Sequence, residues 1–148
     1  MIQRLQSIYL LLSTAAGILC LLLPIGNFIL EDLPFAEIRN LWISIDGAQN
    51  YTPWPLFAIL ALATFLSSAA ILLFKKRALQ MRLCTFSIIL LVGWYAYYSY
   101  MGLTADAPLQ FRPTVWASLP FVMIVFNYLA FRGILKDELL IRSLDRLR

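Results

Sequence analysis

The sequence predicts an all-α membrane protein: a four-transmembrane-helix bundle with a small extracytoplasmic hairpin or loop and a C-terminal cytoplasmic helix. Three observations predict it. Hydrophobic residues make up 61% of the 148-residue chain and charged ones 14%. Soluble domains carry roughly 45–50% apolar and about 25% charged residues, and a core this small cannot hide the excess. The charges also cluster, leaving residues 5–30, 47–74, 83–105 and 113–131 without Asp, Glu, Lys or Arg. Finally, the basic residues fall in alternate connections, as expected of a chain threaded back and forth through a bilayer.

A membrane helix needs about 20 mostly apolar residues to cross the hydrocarbon. The four charge-free stretches place spans at residues 5–25, 54–74, 83–103 and 113–131. Lipid offers no partners to open backbone groups, so each run must be helical. The runs are continuous rather than alternating, which excludes a membrane β-barrel. Pro55 and Pro113 suit a first helical turn, where a missing N–H costs nothing. Pro120 falls a turn or two inside the fourth span, where a kink is expected. The first span reads as an uncleaved anchor, because Leu22-Leu23-Pro24-Ile25-Gly26 offers no small-x-small cleavage site and Leu19 precedes Cys20. The whole chain, 1–148, is expected to form a single membrane domain.

Orientation follows the basic residues. All of the 12 except Arg39 and Arg112 lie at the amino end (Arg4), in the second connection (Lys75, Lys76, Arg77, Arg82) or in the tail. Those segments are therefore expected in the cytoplasm, with both termini inside. The net charge of +4 is accounted for by orientation, and nucleic-acid binding is not expected. Trp54, Tyr98, Tyr100 and Trp116 then form an outer aromatic belt, with Tyr9 and Tyr128 at the inner interface.

The outer loop, residues 26–53, holds Leu41-Trp42-Ile43-Ser44-Ile45, then Asp46-Gly47, then Ala48-Gln49-Asn50-Tyr51-Thr52. Asp-Gly between β-prone runs is a strong hairpin signal, since a type I′ turn needs positive φ at both central residues. The alternative is an irregular loop turning at Asp46-Gly47. A hairpin alone is marginal in water, so Trp42 is expected to pack on the bundle or the outer lipid face. Glu31-Asp32 reads as a solvated acid pair.

No span centre carries an ionisable residue, so a carboxylate proton relay has no visible carrier. The chain has no histidine, the usual base near neutral pH and the commonest metal ligand. No catalytic set, metal site or cofactor is expected. Cys20 and Cys84 lie in different spans near opposite faces, too far apart for a disulfide, and read as small buried hydrophobes. Ser13-xxx-Gly17 and Ala63-xxx-Ser67 are small-residue pairs that let helices approach closely. Asn127, the most polar group at depth, reads as an interhelical hydrogen-bond partner. The run Trp94-Tyr95-Ala96-Tyr97-Tyr98-Ser99-Tyr100 is dense in aromatics. Trp94, Tyr97 and Tyr98 are candidates to line a pocket for a lipid or quinone, against a plain belt-and-packing role.

The tail, residues 132–148, reads as a helix continuing or restarting after span four. Ile134, Leu140, Ile141, Leu144 and Leu147 share one face, interrupted by Asp137 and Arg148, with Leu135 and Leu139 on the other side. Glu138 and Arg142 form a favourable i,i+4 pair. That five-residue face is the candidate contact for a protein partner.

The two ends carry a resemblance. Met1-Ile2-Gln3-Arg4-Leu5-Gln6-Ser7-Ile8-Tyr9-Leu10, together with Lys136-Asp137-Glu138 and Ile141-Arg142-Ser143-Leu144-Asp145-Arg146-Leu147-Arg148, resembles the ends of four-span Bacteroidota proteins of the domain-of-unknown-function family 4293. The resemblance implies a multi-pass protein in the inner membrane of a Gram-negative bacterium, and brings no catalytic residues with it. The expected role is a small, non-catalytic interaction or assembly subunit of an inner-membrane complex, in contact with lipid and with a protein at its tail. The alternative is a transporter or binder of an apolar small molecule.

Overall fold

The architecture is that of a computed structural model describing residues 2–106 and 108–148. Met1, which opens the amino-terminal motif, and Ala107, in the connection before the fourth span, lie outside the described residues. Four helices form: α1 (Ile2–Leu22), α2 (Trp54–Leu72), α3 (Arg77–Leu103) and α4 (Leu119–Arg146). All four are long and apolar enough to cross a membrane. They close a ring in which α1 packs on α2 and α4, and α3 packs on the same two neighbours. Between 28% and 33% of the residues in each apolar stretch are buried. The remaining faces show Leu11, Leu62, Phe65, Phe86, Ile89 and Phe121 to the surroundings, a belt that suits lipid and not water.

The helix ends follow from local chemistry. Pro55 sits in the first turn of α2, as expected. The fourth span begins later than its charge-free stretch suggests. Residues 113–118 are taken up by the end of a strand and by a short 3-10 turn (Val115–Ser118), and α4 starts at Leu119. Pro113 is therefore a strand residue, and Pro120 occupies the first turn of α4, where it has no preceding turn to clash with. The expected kink has no cause. At the far end α4 runs unbroken through the tail to Arg146, so the tail continues the span.

The largest departure from an all-α fold is a five-stranded antiparallel sheet at one end of the ring. Its strands are β1 (Gly26–Leu30), β2 (Leu33–Ile38), β3 (Ile43–Ile45), β4 (Ala48–Asn50) and β5 (Gln110–Pro113), in the order β4-β3-β2-β1-β5. The Asp46-Gly47 hairpin is present as the β3–β4 pair, with φ of 46° and 82° at its two turn residues. It is the outer edge of a larger structure. Glu31 and Asp32 form a second tight turn, at φ 49° and 65°, joining β1 to β2. Both are exposed, as expected of a solvated acid pair, and they also hold the left-handed conformation that reverses the chain, for which short polar side chains such as Asp are suited. Pro34 lies where β2 pairs with β1 alone, so its missing N–H removes nothing from the β2–β3 ladder. β5 comes from the α3–α4 connection and pairs with β1, from Gly26↔Pro113 to Ile29↔Gln110.

The sheet is part of the core. Ile25, Ala36, Ile38 and Ile43 are buried in one cluster with Leu56, Leu60, Leu91, Trp94 and Met123. A second cluster, Leu10, Ala70, Cys84, Ala130 and Ile134, fills the other end of the ring. Cys20 and Cys84 fall in different clusters and are unbridged. Trp42 is half-buried, with its ring edge-on to Tyr51 at 6.4 Å and under the Arg39 guanidinium at 5.8 Å.

Candidate functional site

Three regions gather polar or aromatic side chains. The first is the joint between α3 and the sheet. Trp94 is fully buried, and its indole N–H donates to Asn40 Oδ1 at 3.0 Å. Asn40, in the β2–β3 connection, in turn donates to the Cys20 carbonyl at 2.7 Å. Tyr98 stacks on Trp94 with ring centres 4.9 Å apart and donates to the Ile25 carbonyl at 2.6 Å. Tyr95 donates to the Ala117 carbonyl at 2.7 Å and accepts the Phe121 N–H at 3.0 Å. Three residues within about one turn of α3 thus fasten α1, the sheet and the start of α4. Of the pocket trio, the structure brings Trp94 and Tyr98 together inside the core. It sets Tyr97 apart, half-buried beside Tyr100. A cleft of about 540 Å³ runs past Tyr95, Tyr98, Val115 and Phe121.

The second region lies between the two core clusters. Ser13, Ser67, Ser87 and Asn127, one from each helix, are all fully buried. The Asn127 amide donates to Ser13 Oγ at 2.9 Å and to the Met123 carbonyl at 3.0 Å, and its oxygen accepts from Ser67 at 3.2 Å. Ser67 and Ser87 lie 3.1 Å apart, and each hydroxyl also has the Ala63 carbonyl within reach at 3.1 Å, the one Ser67 proton being shared among its acceptors. Every polar group at this depth finds a partner inside the protein, as hydrocarbon surroundings demand. Close approach is possible because Gly17 lacks a side chain: a methyl there would overlap Thr64 and come within 2.9 Å of Met123.

The third region is the end of the ring away from the sheet. The buried stripe of α4, Pro120-Met123-Asn127-Ala130-Ile134-Asp137, ends at Asp137, which accepts a 2.7 Å hydrogen bond from the Gln6 amide of α1. Ile134 is 0% exposed and belongs to the core, so it leaves the candidate partner-binding face. A residue three positions before Asp137 is still covered by α1 and α3, because the ring continues to that level. Leu140, Ile141, Leu144 and Leu147 remain, and Leu144 is 64% exposed. Glu138 and Arg142 pair at 2.6 Å. Leu135 and Leu139, read as a separate side, line a groove of about 660 Å³ against Met81, Arg82 and Phe86 of α3. Leu139 and Leu140 also line a groove of about 590 Å³ with Tyr9 of α1, rimmed by Arg132 and Lys136.

Among the described residues, no three Cys, Asp or Glu side chains gather as metal ligands would. Sequence reasoning missed Gln6, Asn40 and Asp137 as structural partners. Asn40 gave no signal, because its partners Cys20 and Trp94 are distant in the chain.

The fold and these regions define a class: a ring of four membrane-length helices, closed by a sheet at one end and stitched by a buried polar tetrad. The model of the family described as Domain of unknown function (DUF4293) matches residues 2–147, and the chain belongs to that family. A comparison with curated proteins finds no match.

Proposed function

We propose that this protein is a small, non-catalytic interaction subunit of an inner-membrane complex, with both termini in the cytoplasm and the sheet outside. It docks a protein through the end of α4. The observation that supports this is that α4 outruns its own bundle. Its 28 residues span about 42 Å and the 27 of α3 about 40 Å. Both exceed roughly 30 Å of hydrocarbon, so it is the missing cover over the last turns of α4 that marks it. Beyond Asp137 no residue is buried, yet Leu139, Leu140, Ile141, Leu144 and Leu147 are all apolar and exposed. Four spans need no further anchor. A helix designed to lie on lipid would present one clean apolar face opposite a basic one. Here Leu139 flanks both grooves, while Leu144 and Leu147 stand on the projecting end.

The occupant is a helical protein segment with an apolar face and acidic flanks. Among the described residues, Arg82, Arg132, Lys136, Arg146 and Arg148 are the cations around the apolar patch without an ion pair, Arg132 standing over the Tyr128 ring at 5.9 Å; Glu138 is neutralised by Arg142, and Asp145 is the remaining exposed acid. Complementary charge at such a rim sets partner choice and association rate. The test uses the full chain purified from native membranes in a mild detergent. A stoichiometric protein should copurify with the wild type and with Leu62→Ala on the lipid-facing belt. It should be lost from Leu144→Asp, with insertion unchanged. Retention by Leu144→Asp overturns the reading.

The second reading, a transporter or binder of an apolar small molecule, rests on the cleft beside Tyr95 and Tyr98. Both hydroxyls there are already committed to backbone carbonyls, which leaves a quinone few donors.

A further inference from the structure

At the end of the ring away from the sheet, the first turns of α1 and α3 and the α2–α3 connection border a half-open cavity of about 440 Å³. Its walls include Arg4, Gln6, Ser7, Phe74, Arg77 and Gln80. Arg77, the first residue of α3, contributes a guanidinium whose Nη1 is withdrawn from solvent and has no hydrogen-bond partner among the described residues. Orientation in a membrane does not explain this arrangement. The inside preference of arginine operates with the charge in water, whereas an unpaired guanidinium hydrogen withdrawn from water is costly.

Among the described residues, no carboxylate lines the cavity. Asp137 meets the cavity wall only through Gln6, whose neutral amide donates to the carboxylate at 2.7 Å. Lys75 and Lys76 precede Arg77, and no side chain caps the start of α3, so its partial positive charge adds to the field. An anion would relieve every one of these features. Two guanidiniums with the Gln80 amide beside them match the oxygens of a phosphate, which arginine binds through paired N–H groups. Ile8 and Phe74 supply an apolar wall on the side of the spans. Arg4 and Arg77 each open an apolar, membrane-length stretch, which sets the cavity at headgroup depth. We infer that this cavity holds the phosphate of an anionic phospholipid, with its glycerol end against Ile8 and Phe74.

The experiment measures thermal unfolding of the purified full chain in detergent, with phosphatidylglycerol, phosphatidylcholine or inorganic phosphate added. Phosphatidylglycerol should raise the wild-type midpoint by several degrees at concentrations where phosphatidylcholine and phosphate do little. Arg77→Gln should unfold no earlier than wild type without lipid, since it removes an unpaired charge, and should lose the phosphatidylglycerol shift. Arg4→Gln, at an exposed position, should weaken the apparent affinity about 3–10-fold with folding intact. Arg148→Gln should behave as wild type. An equal shift with phosphatidylcholine, or one that survives in both Arg77→Gln and Arg4→Gln, overturns the inference. A shift reproduced by inorganic phosphate overturns the lipid as its source.

Discussion

Asn127 carries more of the fold than any other polar side chain in the spans. Its amide is the hub of a buried set drawn from all four helices, with donors satisfied by Ser13 and Met123 and the oxygen by Ser67. Ser67 and Ser87 keep the Ala63 carbonyl if the hub is removed, whereas Ser13 loses its amide donor. Interhelical hydrogen bonds in membranes average about 0.6 kcal/mol and reach roughly 1.7. Truncation adds a small cavity. Asn127→Ala should therefore lower stability by about 1–3 kcal/mol, read as an earlier thermal midpoint in detergent. Ser99→Ala, on an exposed face, should leave the midpoint unchanged. This residue was legible in the sequence because an amide in an otherwise apolar span must find a partner. Asn40 was not, because a polar residue in a loop is ordinary until Trp94 and Cys20 are seen to close around it.

The helices were legible as elements because their signal is local: a membrane-length gap between charges can be counted along the chain. The sheet was legible only where its signal is also local, at Asp46-Gly47. β5 and β1 are separated by two helices, and Gln110-Phe111-Arg112-Pro113 has no pattern announcing a strand. The Glu31-Asp32 turn lacks the glycine that flags a hairpin. Tail periodicity placed Ile134 on the right face of the helix but could not say where the bundle stops covering it; that is set by the height at which Gln6 meets Asp137. The β3–β4 hairpin makes its own prediction. Gly47 has φ 82° and open space where a side chain would stand, so Gly47→Val meets strain in the backbone and no clash. A non-glycine residue held there costs on the order of 1–3 kcal/mol. β4 joins the sheet through three residue pairs at its outer edge, so the cost should peel β4 and leave the bundle standing. Limited proteolysis of Gly47→Val should cut faster near residues 46–52 with an unchanged thermal midpoint. An unchanged digestion pattern would mean the turn does not hold the hairpin.

As a whole, the molecule is polar in arrangement: a sheet welded to one end of the ring, and a bare helical projection with basic residues at the other. The sheet end ties Trp94, Tyr95 and Tyr98 into its packing while Trp54, Tyr100 and Trp116 stand exposed, and the opposite end leaves Leu140, Leu144 and Leu147 exposed beside cations without an ion pair among the described residues. The proposed partner is placed on the α4 projection, and the proposed orientation puts the two ends in different compartments. Cysteine labelling tests both parts together. Cys20 and Cys84 are buried, so single cysteines introduced at Ala48 of β4 and at Leu144 of α4 report on the two ends. With the outer membrane opened and the inner one intact, an impermeant maleimide should label Ala48→Cys and spare Leu144→Cys. Opening the inner membrane should expose Leu144→Cys, but it should react severalfold more slowly in native membranes than after purification away from its partner. Labelling of Leu144→Cys from the same side as Ala48→Cys, or at one rate with and without native membranes, would contradict the account.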